Sequence, residues 1–93
     1  NENQIPSDYS LSQNYPNPFN PGTMISFSLP KASFVKMVVY DITGKEVEIL
    51  VNEAMNAGSY EVDFNASRLT SGVYFYRITA DGFTETKKMI LTK

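Results

Sequence analysis

Residues 72–91 read GVYFYRITADGFTETKKMIL, and this stretch decides the fold class of the chain. In its first half, apolar side chains recur at every second position, at Tyr74, Tyr76 and Ile78, which is the period of a β-strand with one buried face. Asp81-Gly82 comes next, and this dipeptide between two alternating runs is the strongest short signal for a β-hairpin. The stretch therefore predicts two antiparallel strands joined by a tight turn.

The same period of two continues through the rest of the chain, and no long amphipathic helical pattern interrupts it. Turn-forming residues separate the alternating runs at intervals of about 8–12 residues, which is typical of a β-sandwich. The chain is therefore predicted to be an all-β antiparallel sandwich. Its strands, about seven, are expected near residues 8–13, 23–29, 34–40, 46–51, 60–64, 72–80 and 83–91.

Three local features refine this prediction. Residues 34–40 are apolar on both faces except at Lys36, which predicts a central, well-covered strand. Asp41 and Gly44 take the first and fourth positions of the turn that follows. Leu50 then falls out of phase with its neighbours and predicts a bulge in the next strand.

Three of the chain's five prolines lie close together in the segment YPNPFNP, residues 15–21. Proline has no backbone N–H and holds the residue before it extended, so this segment cannot continue a central strand ladder. We expect a rigid crossover between the two sheets, with the aromatic ring of Phe19 in the open end of the sandwich and asparagine side chains bonding unpaired backbone groups. The motif consists of Tyr15, Pro16, Asn17, Pro18, Phe19, Asn20 and Pro21.

Composition and charge exclude several classes of function. The chain has 93 residues, 42% of them hydrophobic and 19% charged, which fits one small folded domain and not a disordered segment. It contains no Cys and no His, so thiol chemistry and imidazole ligation are excluded. The net charge of −2 argues against a nucleic-acid partner. The charge is uneven, because residues 66–93 carry five of the eight basic side chains and form the basic end.

Two sets of carboxylates are candidates for reactive or metal-binding groups. Glu46 and Glu48 lie two positions apart, about 7 Å on one strand face, a spacing that glycosidases use. Solvated charges that protect a strand edge explain this pair more simply. Asp41, Asp63 and Asp81 are candidate calcium ligands, but each lies in or beside a predicted turn, where Asp is common in any case. We predict no metal site, no cofactor and no enzymatic activity.

Tyr74 and Tyr76 are open to two interpretations. They fill the core beside Ile78, or they form a platform on which a sugar ring stacks. Arg77 marks the opposite face as solvent, which favours the core. Tyr74 is then expected to donate a hydrogen bond to the backbone upstream, as in a tyrosine corner, and Gly72 to adopt a positive φ.

Five segments together resemble the type A C-terminal sorting domain of the type IX secretion system. They are NYPNPFNPGTMISFSLP, VVYDITGKEV, AGSYEVDF, LTSGVYFYRI and TKKMILTK, which begin at residues 14, 38, 57, 69 and 86. They follow the order and spacing of that family from about Leu11 to Lys93. Each segment alone is common, but NPFNP followed by SGVY and KM-x-L-x-K is a specific combination.

The resemblance implies an Ig-like sandwich that serves as an export address on a larger protein. Such domains end secreted or surface proteins of the Bacteroidetes and related phyla. The machinery at the outer membrane reads them, and a sortase-like peptidase cuts upstream to release the cargo or attach it to lipopolysaccharide. Residues 1–10 are then a linker or N-terminal extension, and residues 11–93 are the sorting domain. The cut is expected within the linker or before it. The chain is expected to be a fragment of a protein that crosses the periplasm and outer membrane and is secreted or displayed at the cell surface.

In this family the signal is attributed mainly to the last two strands. The terminus TKKMILTK is basic and unusually apolar, and from it we hypothesise that the last strand is exposed enough for the translocon to grip its edge, by strand addition or through a side-chain patch. Lys87 and Lys88 point to opposite faces of this strand, where they protect an edge or supply a basic contact. The residues assigned to recognition are Gly72, Tyr74, Tyr76, Lys87, Lys88, Met89 and Lys93.

Two other functions stay open at this point. An Ig-like module of flagellar hook-capping proteins has similar VYD-x-x-G and SGVY-like elements, and a flagellar parent protein would favour it. A carbohydrate-binding module needs a row of exposed aromatic side chains, and binding to insoluble polysaccharide tests it. Independently of these choices, an exposed edge strand allows a homodimer to form by pairing of two sheets.

Overall fold

The computed structural model describes residues 5–93, which form two antiparallel sheets. The strands are β1 (Ser10–Leu11), β2 (Gly22–Leu29), β3 (Ser33–Tyr40), β4 (Glu46–Met55), β5 (Gly58–Asn65), β6 (Gly72–Ala80) and β7 (Phe83–Leu91). One sheet has the order β1-β2-β5 and the other the order β4-β3-β6-β7. The prediction of an all-β, Ig-like antiparallel sandwich with seven strands is confirmed. Within the described part of the chain, no helix is long and apolar enough to cross a membrane.

The core lies between the two sheets and consists of the alternating side chains that the sequence predicts. Ile25, Phe27 and Leu29 of β2 are at most 2% exposed, and Tyr76 and Ile78 of β6 are fully buried. Each of these side chains contributes about 1.5–3 kcal/mol when it leaves water. Because the chain has no cysteine, this packing must provide the stability that disulfides give to many small domains.

The third strand is central but is not covered on both faces, which corrects the prediction for residues 34–40. It pairs with β4 on one side and β6 on the other, and Val35 and Met37 are fully buried on its inner face. On the outer face Val38 is buried, whereas Phe34 is 56% exposed. Only the inner face meets a second sheet, so the apolar outer residues rely on neighbours within their own sheet.

The bulge predicted at Leu50 is confirmed. Met37 pairs with Val51 and Val38 with Ile49, so Leu50 has no partner across the ladder. A second irregularity at Val47 follows in the same edge strand. Bulges of this kind twist an edge away from regular pairing, which disfavours association through β4.

Both turn predictions are also confirmed. The Asp41 carboxylate accepts hydrogen bonds from the backbone N–H of Thr43 (2.9 Å), its hydroxyl (2.6 Å) and the N–H of Lys45 (3.1 Å). The hydroxyl of Thr43 in particular lowers the pKa of Asp41, because it stabilises the charged carboxylate. Gly44 has a φ of 89°, in the left-handed region where glycine is favoured. The last hairpin turns at Asp81-Gly82, between the paired residues Ala80 and Phe83.

Candidate functional site

The last two strands form one continuous antiparallel ribbon at the rim of the sandwich. Their register runs from the pair Gly72–Leu91 to the pair Ala80–Phe83 without a shift. In the four-stranded sheet β6 lies between β3 and β7, and β7 is an edge strand. The part of the chain to which the family resemblance assigns the signal is therefore a single structural unit.

Three of the seven residues assigned to recognition lie in the core. Tyr74 is 6% exposed, and Tyr76 and Met89 are fully buried. The Tyr74 hydroxyl donates to the carbonyl of Thr70 at 2.7 Å, which confirms the tyrosine corner, and the Tyr76 hydroxyl donates to the carbonyl of Ser12 at 2.7 Å. Burial raises the pKa of Tyr76 to about 12. The interpretation of both tyrosines as core is confirmed, and neither ring is available for stacking on a sugar.

The other four residues reach the surface. Lys88 and Lys93 are exposed, and the Lys93 ammonium donates to the carbonyl of Ser67 at 2.6 Å. Lys87 is half-buried, and its ammonium lies 3.1 Å from the carboxylate of Glu85. Gly72 begins β6 with a φ of 154°, which confirms the predicted positive φ but places it in the strand and not in a turn.

Lys87 and Lys88 lie on opposite faces of β7, as predicted. Lys87 shares the inner face with Glu85 and Met89, where the narrower second sheet leaves the edge strand partly open. A charged pair that points inward at an edge is one way in which proteins prevent sheets from associating. Lys88 lies on the outer face opposite Phe75 of β6.

Around Lys88 the outer face carries a group of residues that we name the outer patch. The Arg77 guanidinium lies 5.2 Å from the centre of the Tyr40 ring, and its Nε donates to the Thr86 hydroxyl at 3.1 Å. The ring and the hydroxyl hold the guanidinium in place, which leaves its other N–H groups available for an acceptor. A shallow cleft of about 350 Å³ lies beside it, between Ile42 and Phe75. The outer patch comprises Tyr40, Phe75, Arg77, Thr86 and Lys88.

The free edge of β7 is open over only half its length. Residues 13–21, which we name the proline strap, close the half that follows Lys88. The N–H of Phe19 donates to the carbonyl of Ile90 at 2.9 Å, and the N–H of Thr92 donates to the carbonyl of Phe19 at 2.9 Å. The N–H of Ile90 donates to Oδ1 of Asn17 at 3.0 Å. The prediction of an exposed edge is therefore correct only for the half near the hairpin.

The prediction for the strap itself is partly confirmed and partly wrong. Phe19 is 1% exposed within the sandwich, and the Asn17 side chain bonds a backbone group, both as expected. The strap does not, however, carry the chain from one sheet to the other. Its two flanking strands, β1 and β2, belong to the same sheet, and Tyr15 pairs with Met24 of β2. The strap leaves this sheet, contacts β7 through the bridge between Phe19 and Leu91, and returns.

One residue at this edge has a role that no feature of the sequence predicts. Gln13 Nε2 donates to the carbonyl of Lys88 at 2.6 Å, across 75 positions of the chain. Side chains that bond to the backbone of an edge strand, in place of a neighbouring strand, do not recur at regular intervals in the sequence. No local sequence pattern therefore predicts them. The asparagines among the prolines were the only indication that side chains would serve this purpose.

The fold does not bring together the candidate reactive and metal-binding carboxylates. Asp41, Asp63 and Asp81 lie in a turn of one sheet, in a strand of the other sheet and in the last hairpin turn, respectively. Within residues 5–93, no three His, Cys, Asp or Glu side chains are grouped closely enough to hold a metal ion. Glu46 pairs with the outward-facing Tyr40 and Glu48 with the buried Val39. The prediction that these glutamates share a face is therefore wrong, because the bulge at Val47 separates them.

Comparison with known proteins agrees with this architecture. The sequence profile of the family described as "Secretion system C-terminal sorting domain" matches residues 13–92. A search of curated proteins finds no match. The matched region contains the strap, the tyrosine corner and the whole β6–β7 ribbon. The chain therefore belongs to the secretion system C-terminal sorting domain family, the C-terminal sorting signal of type IX secretion.

Proposed function

We propose that the secretion machinery reads this domain in its folded form, through the outer patch and Lys93 at the rim of the β6–β7 ribbon. The family match over residues 13–92 carries the assignment to sorting. The burial of Tyr74, Tyr76 and Met89 supports reading of the folded form, because these positions cannot contact a partner without unfolding. These three buried side chains then stabilise the β6–β7 ribbon, and the exposed Lys and Arg side chains contact the partner.

The charge of the ribbon indicates the chemistry of its partner. On the outer face, Arg77 and Lys88 lie on neighbouring strands. The cleft beside Arg77 is lined by the apolar Ile42 and Phe75 and, at its other side, by Asp41. A partner surface with carboxylates and an aliphatic or aromatic side chain complements this arrangement. The partner that we propose is the translocon at the outer membrane.

The remaining steps follow the family. A cargo protein joins the domain on its N-terminal side, and a sortase-like peptidase cuts at or before residues 1–10, which makes residues 11–93 the sorting unit. The cargo crosses the periplasm and the outer membrane and is released or kept at the cell surface. The domain itself supplies no catalysis, which agrees with a sequence that lacks His and Cys.

The test compares two lysines on the same outer face of the four-stranded sheet. Lys88→Glu reverses a charge of the outer patch, and Lys36→Glu reverses an exposed charge of β3 that lies opposite Asn52 of β4. Each variant is fused to a reporter in a bacterium with type IX secretion, and reporter is measured in the medium, the cell surface and the periplasm. We expect periplasmic accumulation with Lys88→Glu and normal export with Lys36→Glu.

Circular dichroism and urea unfolding of both purified domains control for stability. Normal export of a folded Lys88→Glu domain would rule out the outer patch as the recognition surface. Point variants are better than deletion of residues 86–93 here, because that deletion removes Met89 and Leu91 from the core.

The carbohydrate-binding module and the homodimer have less support. The aromatic side chains among the large exposed hydrophobic residues of the described chain are Tyr15 and Phe34, and they lie on different sheets. They do not form the row that a carbohydrate-binding module needs, so we expect no retention on insoluble polysaccharide. The homodimer through an edge strand stays a prediction, which sedimentation velocity of the isolated domain tests.

A further inference from the structure

The backbone groups along the free edge of β7 differ in how they are satisfied. The carbonyl of Lys88, both groups of Ile90 and the N–H of Thr92 face away from β6 and are bonded by the strap. Because alternate residues of a strand direct their backbone groups to the same side, Thr84 and Thr86 also face outward. Among the hydrogen bonds of residues 5–93 outside the strand ladders, none reaches the backbone of Thr84 or Thr86.

The strap is an incomplete substitute for a neighbouring strand. Two of its four bonds to residues 88–92 come from side chains, those of Gln13 and Asn17, and it forms a single bridge with Leu91. Its three prolines have no N–H to donate. Apart from Asn14 and Phe19, the residues of the strap are exposed, so its packing against the core rests mainly on the Phe19 ring.

We propose that the edge of β7 is a strand-addition site and that the proline strap is a displaceable cap on it. This inference rests on the proposed function, in which the β6–β7 ribbon is the surface that is read. An extended segment of a partner satisfies the outward groups from Thr84 to Thr92 in one regular ladder, whereas the strap satisfies only the half from Lys88 onward. The partner strand then becomes the fifth strand of this sheet.

The side chains beside the edge specify the partner segment further. Lys88 and Ile90 alternate with Lys87 and Met89 along the strand. A residue placed opposite Lys88 interacts with its ammonium, so an acidic side chain is favoured there. An apolar side chain two positions away is favoured opposite Ile90, which is half-buried. The partner is therefore an extended segment in which acidic and apolar residues share one face.

Competition by a copy of the strap tests the cap in the full 93-residue chain. The probe is a fluorescent synthetic peptide with the sequence of residues 13–21, and its binding is measured by anisotropy to the wild type, Asn17→Ala and Asn20→Ala. Asn17→Ala weakens the cap, while the peptide keeps its own asparagine. Loss of one hydrogen bond raises the open fraction, so we expect about fivefold tighter apparent binding to Asn17→Ala. Asn20 is exposed and serves as the matched control, with binding equal to the wild type.

Equal binding of the peptide to all three chains, or no binding to any of them, would overturn the proposal. Amide hydrogen exchange provides a second, independent measurement. The N–H groups of Ile90 and Thr92 are bonded by the strap, whereas that of Met89 faces β6. We expect Ile90 and Thr92 to exchange at least about tenfold faster than Met89, because the cap opens without the sheet.

Equal protection of these three amides would mean that the strap opens only when the sheet unfolds, and the cap would then be a permanent part of the fold. Neither measurement involves secretion. Failure here therefore leaves the outer patch untouched, and the export of Lys88→Glu decides that question separately.

Discussion

The hydroxyl of Tyr74 shows how a single residue fixes the connection between the two sheets. The chain leaves β5 at Asn65, turns through residues 66–71 and begins β6, and the hydroxyl bonds the carbonyl of Thr70 within this connection. The ring lies in the core, so the hydrogen bond joins the loop to the packed interior. The sequence predicts this bond because the tyrosine lies near the start of a strand, close behind the connection that its hydroxyl can reach.

Removal of this hydroxyl has a measurable cost. Tyr74→Phe keeps the ring and loses one hydrogen bond, so we expect the free energy of unfolding to fall by about 1 kcal/mol. The measurement is urea unfolding followed by tyrosine fluorescence or circular dichroism. Tyr40→Phe is the matched control, because no hydrogen bond among residues 5–93 involves the Tyr40 hydroxyl. A loss of equal size in both variants would show that the tyrosine corner contributes nothing specific.

The lowered pKa of Asp41 predicts how the stability of the domain depends on pH. Hydrogen bonds from Thr43 and Lys45 lower its pKa in the folded state below the ordinary value of 3.8. The unfolded chain then binds the proton more tightly, so the stabilisation is complete above pH 3.8 and is lost as the pH falls through the folded pKa. We expect Asp41→Asn to be less stable than the wild type at pH 7, with a difference that shrinks below about pH 4. Urea unfolding of both proteins at pH 7, 4 and 3 measures this difference in stability. A difference that stays constant across the three pH values would show that the charge of Asp41 is not its cause.

The strands themselves follow from the sequence, but their neighbours do not. Period-two alternation identifies a strand and its buried face, and the bulge at Leu50 and the Asp81-Gly82 hairpin are equally local. Which sheet a strand joins depends on contacts between distant segments. Only Asn56 and Ala57 separate β4 from β5, yet these two strands belong to opposite sheets. The same holds for the strap, because its prolines specify a rigid backbone and not the sheet that the next strand joins.

The strap depends on one anchor. Phe19 is buried, and its ring centre lies 6.1 Å from that of Phe64. Phe19→Ala leaves a cavity between the sheets and removes this contact, so we expect a loss of about 3–4 kcal/mol in the free energy of unfolding. Asn20→Ala, at an exposed position beside it, is expected to change stability by less than about 0.5 kcal/mol. Chemical denaturation of both variants measures these changes. A small loss of stability in Phe19→Ala would mean that the sandwich closes without the strap.

At the scale of the whole molecule, the proposed function separates the residues that build the β6–β7 ribbon from those that would contact a partner. The inner face of the β6–β7 ribbon belongs to the core, and its outer face and edge remain accessible around the outer patch. An isolated two-stranded hairpin is only marginally stable in water. The other five strands are therefore the support that keeps the ribbon in one shape, and a family motif that spans the entire domain is expected for this reason.

This separation gives a test of whether the signal is read as a folded surface or as a short linear motif. Met89 is part of the family-like pattern KM-x-L-x-K, but it is fully buried. Met89→Leu conserves volume and polarity, so it costs less than about 1.5 kcal/mol and leaves the surface unchanged. If the machinery reads the folded domain, export of a reporter fused to Met89→Leu is expected to equal that of the wild type, whereas Lys88→Glu reduces it. Loss of export in a stable Met89→Leu domain would show that the methionine is read directly, and that the ribbon is unfolded when it meets its partner.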